Sequence, residues 1–273
     1  MTEFLRNFGD VTLNVADEGH GPTIVMLHGW SYDLHLWDAL AARLVEDHWR
    51  VVRIDLRGHG RSPASGPYPF TQLCRDLEAV LDTLLTDRPV LLGLSLGGFL
   101  TMRYAIDHPD AVRAIVLADT WTTPILSDTE MAHSLPGSDQ GPAALAAWWN
   151  NRYGGPAAVA ADPVKLAARA RFTRLNADGL RHAITACAGR EPVTVEELRE
   201  IRAPALVIAG ENDRVFSPRM HGELADAIPH SRLSIIPGAG HISVADEPEE
   251  FTGLVTTFLS ELPGVPAHEE EQP

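Results

Sequence analysis

A parallel β-sheet covered by helices on both faces, interrupted once by an all-helical insertion, is the α/β architecture this sequence predicts. Three observations carry it. Aliphatic runs recur at 23–27, 51–55, 90–94, 114–118, 205–209 and 233–236, and their continuity, without polar alternation, is the mark of strands buried on both faces. Stretches suited to helices lie between them, so strand and helix alternate as in a doubly wound fold. The alternation breaks between 121 and 200, where no good strand occurs.

In chain order, 11–15 alternates apolar with polar residues and predicts an antiparallel edge strand. Helices are expected over 71–85, 97–107, 218–227 and 248–261. Pro109 closes the second of these, because the residue before a proline is pushed out of the helical region. Pro248 opens the last, where a missing N–H costs nothing, and Glu249 and Glu250 complement the helix dipole. Within 121–200, helical patches at 142–149 and 162–170 predict a cap over the sheet. The expected organisation is a core of 1–120 and 201–262, a cap of 121–200, and a disordered tail of 263–273, proline-rich and then acidic.

Composition narrows the function classes. The 273 residues are 45% hydrophobic, enough apolar material for a large core. A formal net charge of −15 argues against nucleic acid or an anionic membrane surface as partner. No apolar window approaches a membrane span, and the first residues lack the pattern of a secretory signal, so a cytoplasmic location is expected. Cys74 and Cys187 have no second Cys or His at metal-ligand spacing and are expected to be ordinary thiols, with no metal bound.

Chemistry concentrates around Ser95. It follows a predicted strand, precedes a predicted helix, and has Gly93 and Gly97 two residues to either side. A sharp strand-to-helix turn of this kind presents a nucleophilic hydroxyl at the carboxyl end of a sheet, and the glycines relieve the crowding. A serine needs a base. Among twelve histidines His241 is the candidate, lying between the last predicted strand and the last helix, at the same sheet edge. Asp213, in the loop after the strand ending at Ala209, is the expected acid, with Asp119 at the end of 114–118 as its rival. Otherwise Asp119 would cap the turn into the insertion.

An acyl-transfer site also requires oxyanion donors. The N–H groups of Leu96, inside the turn, and of Trp30, in the loop after the first parallel strand, are the candidates. His28, in that loop, is expected to brace it, and 57–62 (Arg-Gly-His-Gly-Arg-Ser) is expected to be a structural loop. Trp121 and Trp148 are candidate pocket residues, with Trp149 facing elsewhere on the same helix.

Leu-His-Gly-Trp at 27–30, Asp-Leu-Arg-Gly-His-Gly-Arg-Ser at 55–62, Gly-Leu-Ser-Leu-Gly-Gly at 93–98, Gly-Glu-Asn-Asp-Arg-Val at 210–215 and Gly-Ala-Gly-His at 238–241, in this order, resemble the α/β-hydrolase superfamily. The resemblance covers all but the insertion and the tail. It implies an α/β-hydrolase fold with an eight-stranded, mostly parallel sheet, a helical cap, a Ser95–His241–Asp213 triad and no cofactor. Serine at the elbow places the chain in the serine-nucleophile branch, and 93–119 looks most like bacterial enol-lactonases and small carboxylesterases. The implied partner is a small ester or lactone. Two other classes share the scaffold: a cofactor-free lyase or perhydrolase using the same residues, and a non-catalytic ligand-binding protein.

Overall fold

The computed structural model describes residues 3–63, 66–85, 87–123, 144 and 177–263. Eight strands form one sheet in the order β1-β2-β4-β3-β5-β6-β7-β8. They are β1 (Glu3–Asn7), β2 (Thr12–Glu18), β3 (Thr23–Leu27), β4 (Arg50–Ile54), β5 (Val90–Leu94), β6 (Ala114–Ala118), β7 (Ala205–Gly210) and β8 (Ser231–Ile236). Pairings β1–β2 and β2–β4 are antiparallel, and all others are parallel. Every residue of β3, β5, β6 and β7 is buried, as their unbroken aliphatic runs predicted. Each Val, Leu or Ile among them contributes about 1.5–3 kcal/mol by leaving water.

Two strand expectations are corrected. The stretch 11–15 was expected at the edge, but β2 lies inside the sheet and β1 takes the edge, with Leu5 half exposed. The run 233–236 was expected to be buried, but β8 is the far edge and pairs only with β7. Its Leu233 and Ile235 are 37% and 44% exposed. Aliphatic content alone does not distinguish a central strand from an edge strand that has one neighbour.

The helices are α1 (Asp38–Glu46), α2 (Phe70–Leu84), α3 (Leu96–Asp107), α4 (Ala177–Ala188), α5 (Val195–Leu198), α6 (Pro218–Ala227), α7 (Ser243–Asp246) and α8 (Pro248–Ser260). The four sequence-predicted helices match α2, α3, α6 and α8 to within a residue at each end. The sequence reading omitted α1 and the 3₁₀ turn before it at Leu34–Trp37. In packing, α1 lies against α8, and α2 against α3.

Helices α4 and α5 fall inside the segment expected to form the cap. The chain leaves β6 and returns side by side, the Val193 N–H donating to the Thr122 carbonyl at 2.9 Å. The patches 142–149 and 162–170, and all of the tail beyond Pro263, lie outside the described residues apart from Ala144. Because β3, β5, β6, β7 and β8 run parallel, the segments that follow them emerge at one edge of the sheet. Ser95, Asp119, Asp213 and His241 all lie on those segments.

Candidate active site

Ser95 is the single residue between β5 and α3, with φ 52° and ψ −109°. A non-glycine residue held there costs about 1–3 kcal/mol and persists only where neighbours over-determine it. They do so here. The Ser95 N–H donates to the Ala118 carbonyl at 2.9 Å, and the Ser95 carbonyl accepts from the Thr120 hydroxyl at 2.8 Å and from the Phe99 N–H at 3.0 Å. A Cβ on Gly93 would strike the backbone of Gly97, and one on Gly97 would strike the Leu27 carbonyl at the end of β3. Both glycines are demanded by close backbone approach.

The hydroxyl so presented meets His241. Ser95 Oγ lies 3.1 Å from His241 Nε2, and His241 Nδ1 lies 3.0 Å from Asp213 Oδ2. A carboxylate only accepts, so Nδ1 carries the proton and Nε2 is the acceptor facing Ser95. Asp213 is aimed by backbone: its Oδ1 accepts from the Val215 N–H at 2.7 Å and the Phe216 N–H at 3.0 Å, leaving Oδ2 for the imidazole. Burial pushes the His241 pKa down. The charge and hydrogen bond of Asp213, with the nearby Asp119 and Asp246 carboxyls, outweigh it, and the net shift is upward.

Asp119 does not touch the imidazole in the role of acid, and it does not cap the turn into the insertion. It is fully buried at φ 45°. Its Oδ1 accepts from the Gly210 N–H at 3.0 Å, and Oδ2 accepts from the Ser243 N–H and hydroxyl at 2.9 and 2.7 Å. It therefore ties together the segments that carry Asp213 and His241. Desolvation pushes its pKa up to about 8, the neighbouring Asp213 adding to the rise. Asp246 braces the same turn, its carboxylate accepting from the Gly240 N–H at 2.8 Å. Sequence reasoning missed this bracing by Asp119, Ser243 and Asp246, because it depends on contacts between distant segments.

Asp119, Asp213 and His221 each bring one potential ligand atom within 4.8 Å of the others. All four carboxylate oxygens of that group already accept hydrogen bonds, from Gly210, Ser243, Val215, Phe216 and His241. Asp119 Oδ2 and Asp213 Oδ1 each accept two of these bonds, so both carboxylates are already held by the segments they join.

The loop after β3 packs directly on the elbow. A Cβ on Gly29 would lie 2.7 Å from Leu94 Cδ2 and 3.4 Å from Ser95 Cβ. His28 braces this loop as expected: its Nε2 accepts from the Leu56 N–H at 3.0 Å, so its Nδ1–H donates to the Gly29 carbonyl at 2.8 Å. The segment 57–62 is likewise structural. Asp55 holds it by accepting from the Arg61 N–H at 2.8 Å, and Arg57 pairs with Asp76. The Trp30 indole donates to the Leu180 carbonyl of α4 at 2.8 Å, joining the loop to the segment above it.

Trp30, Ser95, Leu96, Ile184, Arg190 and Phe216 are among the residues lining a cavity of about 20 Å³ beside the Ser95 hydroxyl. Thr120 also lines it, whereas Trp121 is half-buried against the hydrophobic core. Trp148 lies outside the described residues. Cys74 and Cys187 are both free thiols, and burial pushes the Cys74 thiol up to about 12.

Residues 24–254 match the family model described as "Alpha/beta hydrolase family". The chain belongs to that family. A hydrolase from Pseudomonas aeruginosa PA01 is 31% identical, with a TM-score of 0.82 over 94% of this chain and 97% of that one. The enol-lactonase of Burkholderia xenovorans LB400 is also 31% identical, with a TM-score of 0.79 over 91% and 97%. A Bacillus subtilis (strain 168) protein, provisionally named 2-succinyl-6-hydroxy-2,4-cyclohexadiene-1-carboxylate synthase, is 31% identical over 91% of this chain and 94% of its own. The α/β-hydrolase fold expected from the motifs, with its mostly parallel eight-stranded sheet, is the fold observed. No helix among the described residues is long and apolar enough to cross a membrane.

Proposed function

We propose that this chain hydrolyses a small carboxylic ester or lactone through an acyl-enzyme on Ser95. The observation that carries the proposal is the unbroken line from the Ser95 hydroxyl to His241 at 3.1 Å and from His241 to Asp213 at 3.0 Å, set on a strained turn. In this reading His241 Nε2 takes the Ser95 proton as Oγ attacks the substrate carbonyl carbon, and Asp213 stabilises the imidazolium that results. His241 then protonates the leaving oxygen. Water repeats the attack on the acyl-enzyme, releasing the acid and restoring Ser95.

The N–H groups of Leu96 and Trp30 receive the oxyanion. Their support is position: Leu96 opens α3 immediately after Ser95, Gly29 packs on the elbow, and Trp30 and Leu96 line the cavity with Ser95. A donor so placed is worth about 2.7–4 kcal/mol to the transition state. Residues 121–200 form the cap over the 1–120 and 201–262 core, a division supported by the Thr122–Val193 neck and the Trp30–Leu180 bond. The similarity to an enol-lactonase supports the lactone arm of the proposal.

The test is turnover of para-nitrophenyl esters and simple lactones, with fluorophosphonate labelling, by the native chain and Ser95→Ala. Labelling at Ser95, and loss of turnover in a folded Ser95→Ala variant, are the expected results. Undiminished turnover by that variant refutes the acyl-enzyme. A second reading, non-hydrolytic use of the same residues, rests on the relative named as a synthase. Reaction in ¹⁸O-labelled water separates the two, since hydrolysis places one solvent oxygen in the acid product.

A further inference from the structure

Arg190 is a buried cation that the proposed hydrolysis does not use. It stands two residues beyond the end of α4, is 7% exposed, and lines the cavity that holds Ser95, Trp30 and Leu96. A chain with 37 Asp and Glu supplies it with no carboxylate among the described residues. Its bonds are to neutral groups: Nη1 donates to the Cys187 carbonyl at 2.8 Å and approaches Cys187 Sγ at 3.3 Å, and Nη2 donates to the Thr123 carbonyl at 2.8 Å. Its Nε–H is buried and has no hydrogen-bond partner among the described residues.

The guanidinium plane is set by Phe99, whose ring centroid lies 3.5 Å from Arg190 Cζ. Phe99 is itself one turn beyond Ser95 on α3. With one face covered by the ring, further bonding must come in the plane. Nη2 carries two hydrogens and makes one bond, and the Nε–Nη2 edge is the one a carboxylate takes side-on. A buried charge without a counter-ion is costly to keep, and burial pushes the Arg190 pKa down. An incoming anion would reverse both effects.

We propose that Arg190 is the subsite for a carboxylate carried by the substrate, so that the preferred esters or lactones are anionic. This rests on the hydrolytic reading above and narrows its substrate class. At about 20 Å³ the cavity as it stands admits one small group, so it must widen around a whole ester. A merely structural role, stapling Cys187 to Thr123, would serve neutral and anionic substrates alike. That difference is what the test reads.

Three esters matched in acyl length are compared: para-nitrophenyl pentanoate, neutral; mono-para-nitrophenyl glutarate, with the charge on the acyl side; and para-carboxyphenyl pentanoate, with the charge on the leaving side. The native chain is expected to favour one anionic ester over the neutral one. Arg190→Met is expected to lower kcat/KM for that ester by about 10- to 100-fold, mainly through KM, while changing the neutral ester less than about threefold. Arg190→Lys should restore part of the difference. Equal handling of all three esters by the native chain overturns the proposal, as does an equal loss on all of them in Arg190→Met. Should Arg190→Met not fold, Arg190→Lys takes its place: a reduced preference for the anionic ester supports the proposal, and an unchanged one overturns it. If neither these esters nor simple lactones are turned over, the hydrolytic reading fails by itself. Calorimetry with glutarate then decides the anion site, which requires binding to the native chain and at least tenfold weaker binding to Arg190→Met.

Discussion

His28→Phe should produce a stability deficit that shrinks as the solution is acidified. His28 is fully buried and makes two bonds, accepting from Leu56 N–H and donating to the Gly29 carbonyl. Phenylalanine fills a similar volume but leaves that N–H and that carbonyl unpaired. At about 1–3 kcal/mol for each orphaned group, the variant should lose about 2–6 kcal/mol at pH 7. Burial, opposed only by the Gly29 bond, lowers the His28 pKa from 6.5 to about 4. The unfolded chain therefore takes up a proton below pH 6.5 that the folded protein refuses until about pH 4. Stability present above that window is lost as the pH falls through it, to a total of about 3 kcal/mol. Phenylalanine has no such proton, so between pH 7 and pH 5 the deficit should contract by about 2 kcal/mol. Urea unfolding of both proteins at the two pH values measures this. A deficit that is constant, or that widens on acidification, refutes a neutral, desolvated His28.

Four further outcomes are expected. Because the His241 pKa is raised and the base must be neutral to accept a proton, kcat/KM should fall on the acid side with an apparent pKa above 6.5. Asp213→Asn should shift that limb downward and reduce kcat by about 10⁴-fold, as measured by a pH-rate profile. Gly97→Ala places a methyl group against the Leu27 carbonyl, and should cost about 1–3 kcal/mol in thermal unfolding together with about 100-fold in turnover, since the elbow and the Trp30 loop are forced apart. Asp76→Ala strips the bidentate partner from buried Arg57, whose Nε and Nη2 each lie 2.7 Å from the carboxylate, and should destabilise by about 3–5 kcal/mol in urea.

The elbow was legible because its physics is local. A strained serine between strand and helix brings Gly93 against Gly97, each two residues away in the chain, whereas the approach of Gly97 to the Leu27 carbonyl of β3 was not legible. The parallel strands were legible for a related reason: burial on both faces removes polar residues from β3, β5, β6 and β7. The edges were not. β1 is five residues including charged Glu3 and Arg6, and β8 has the aliphatic content of a buried strand, so neither revealed its place in the sheet.

By itself the sequence determined the α/β class, the serine turn and the order of Ser95, Asp213 and His241 along the chain. Only the tertiary structure decided between Asp213 and Asp119. Both are buried carboxyls at the same sheet edge, and the direction of His241 Nδ1 separates them. Only the tertiary structure singled out Arg190. Its distinction is that no carboxylate among the described residues pairs with it within a shared cavity, and whether a charge has a partner is a property of the folded neighbourhood.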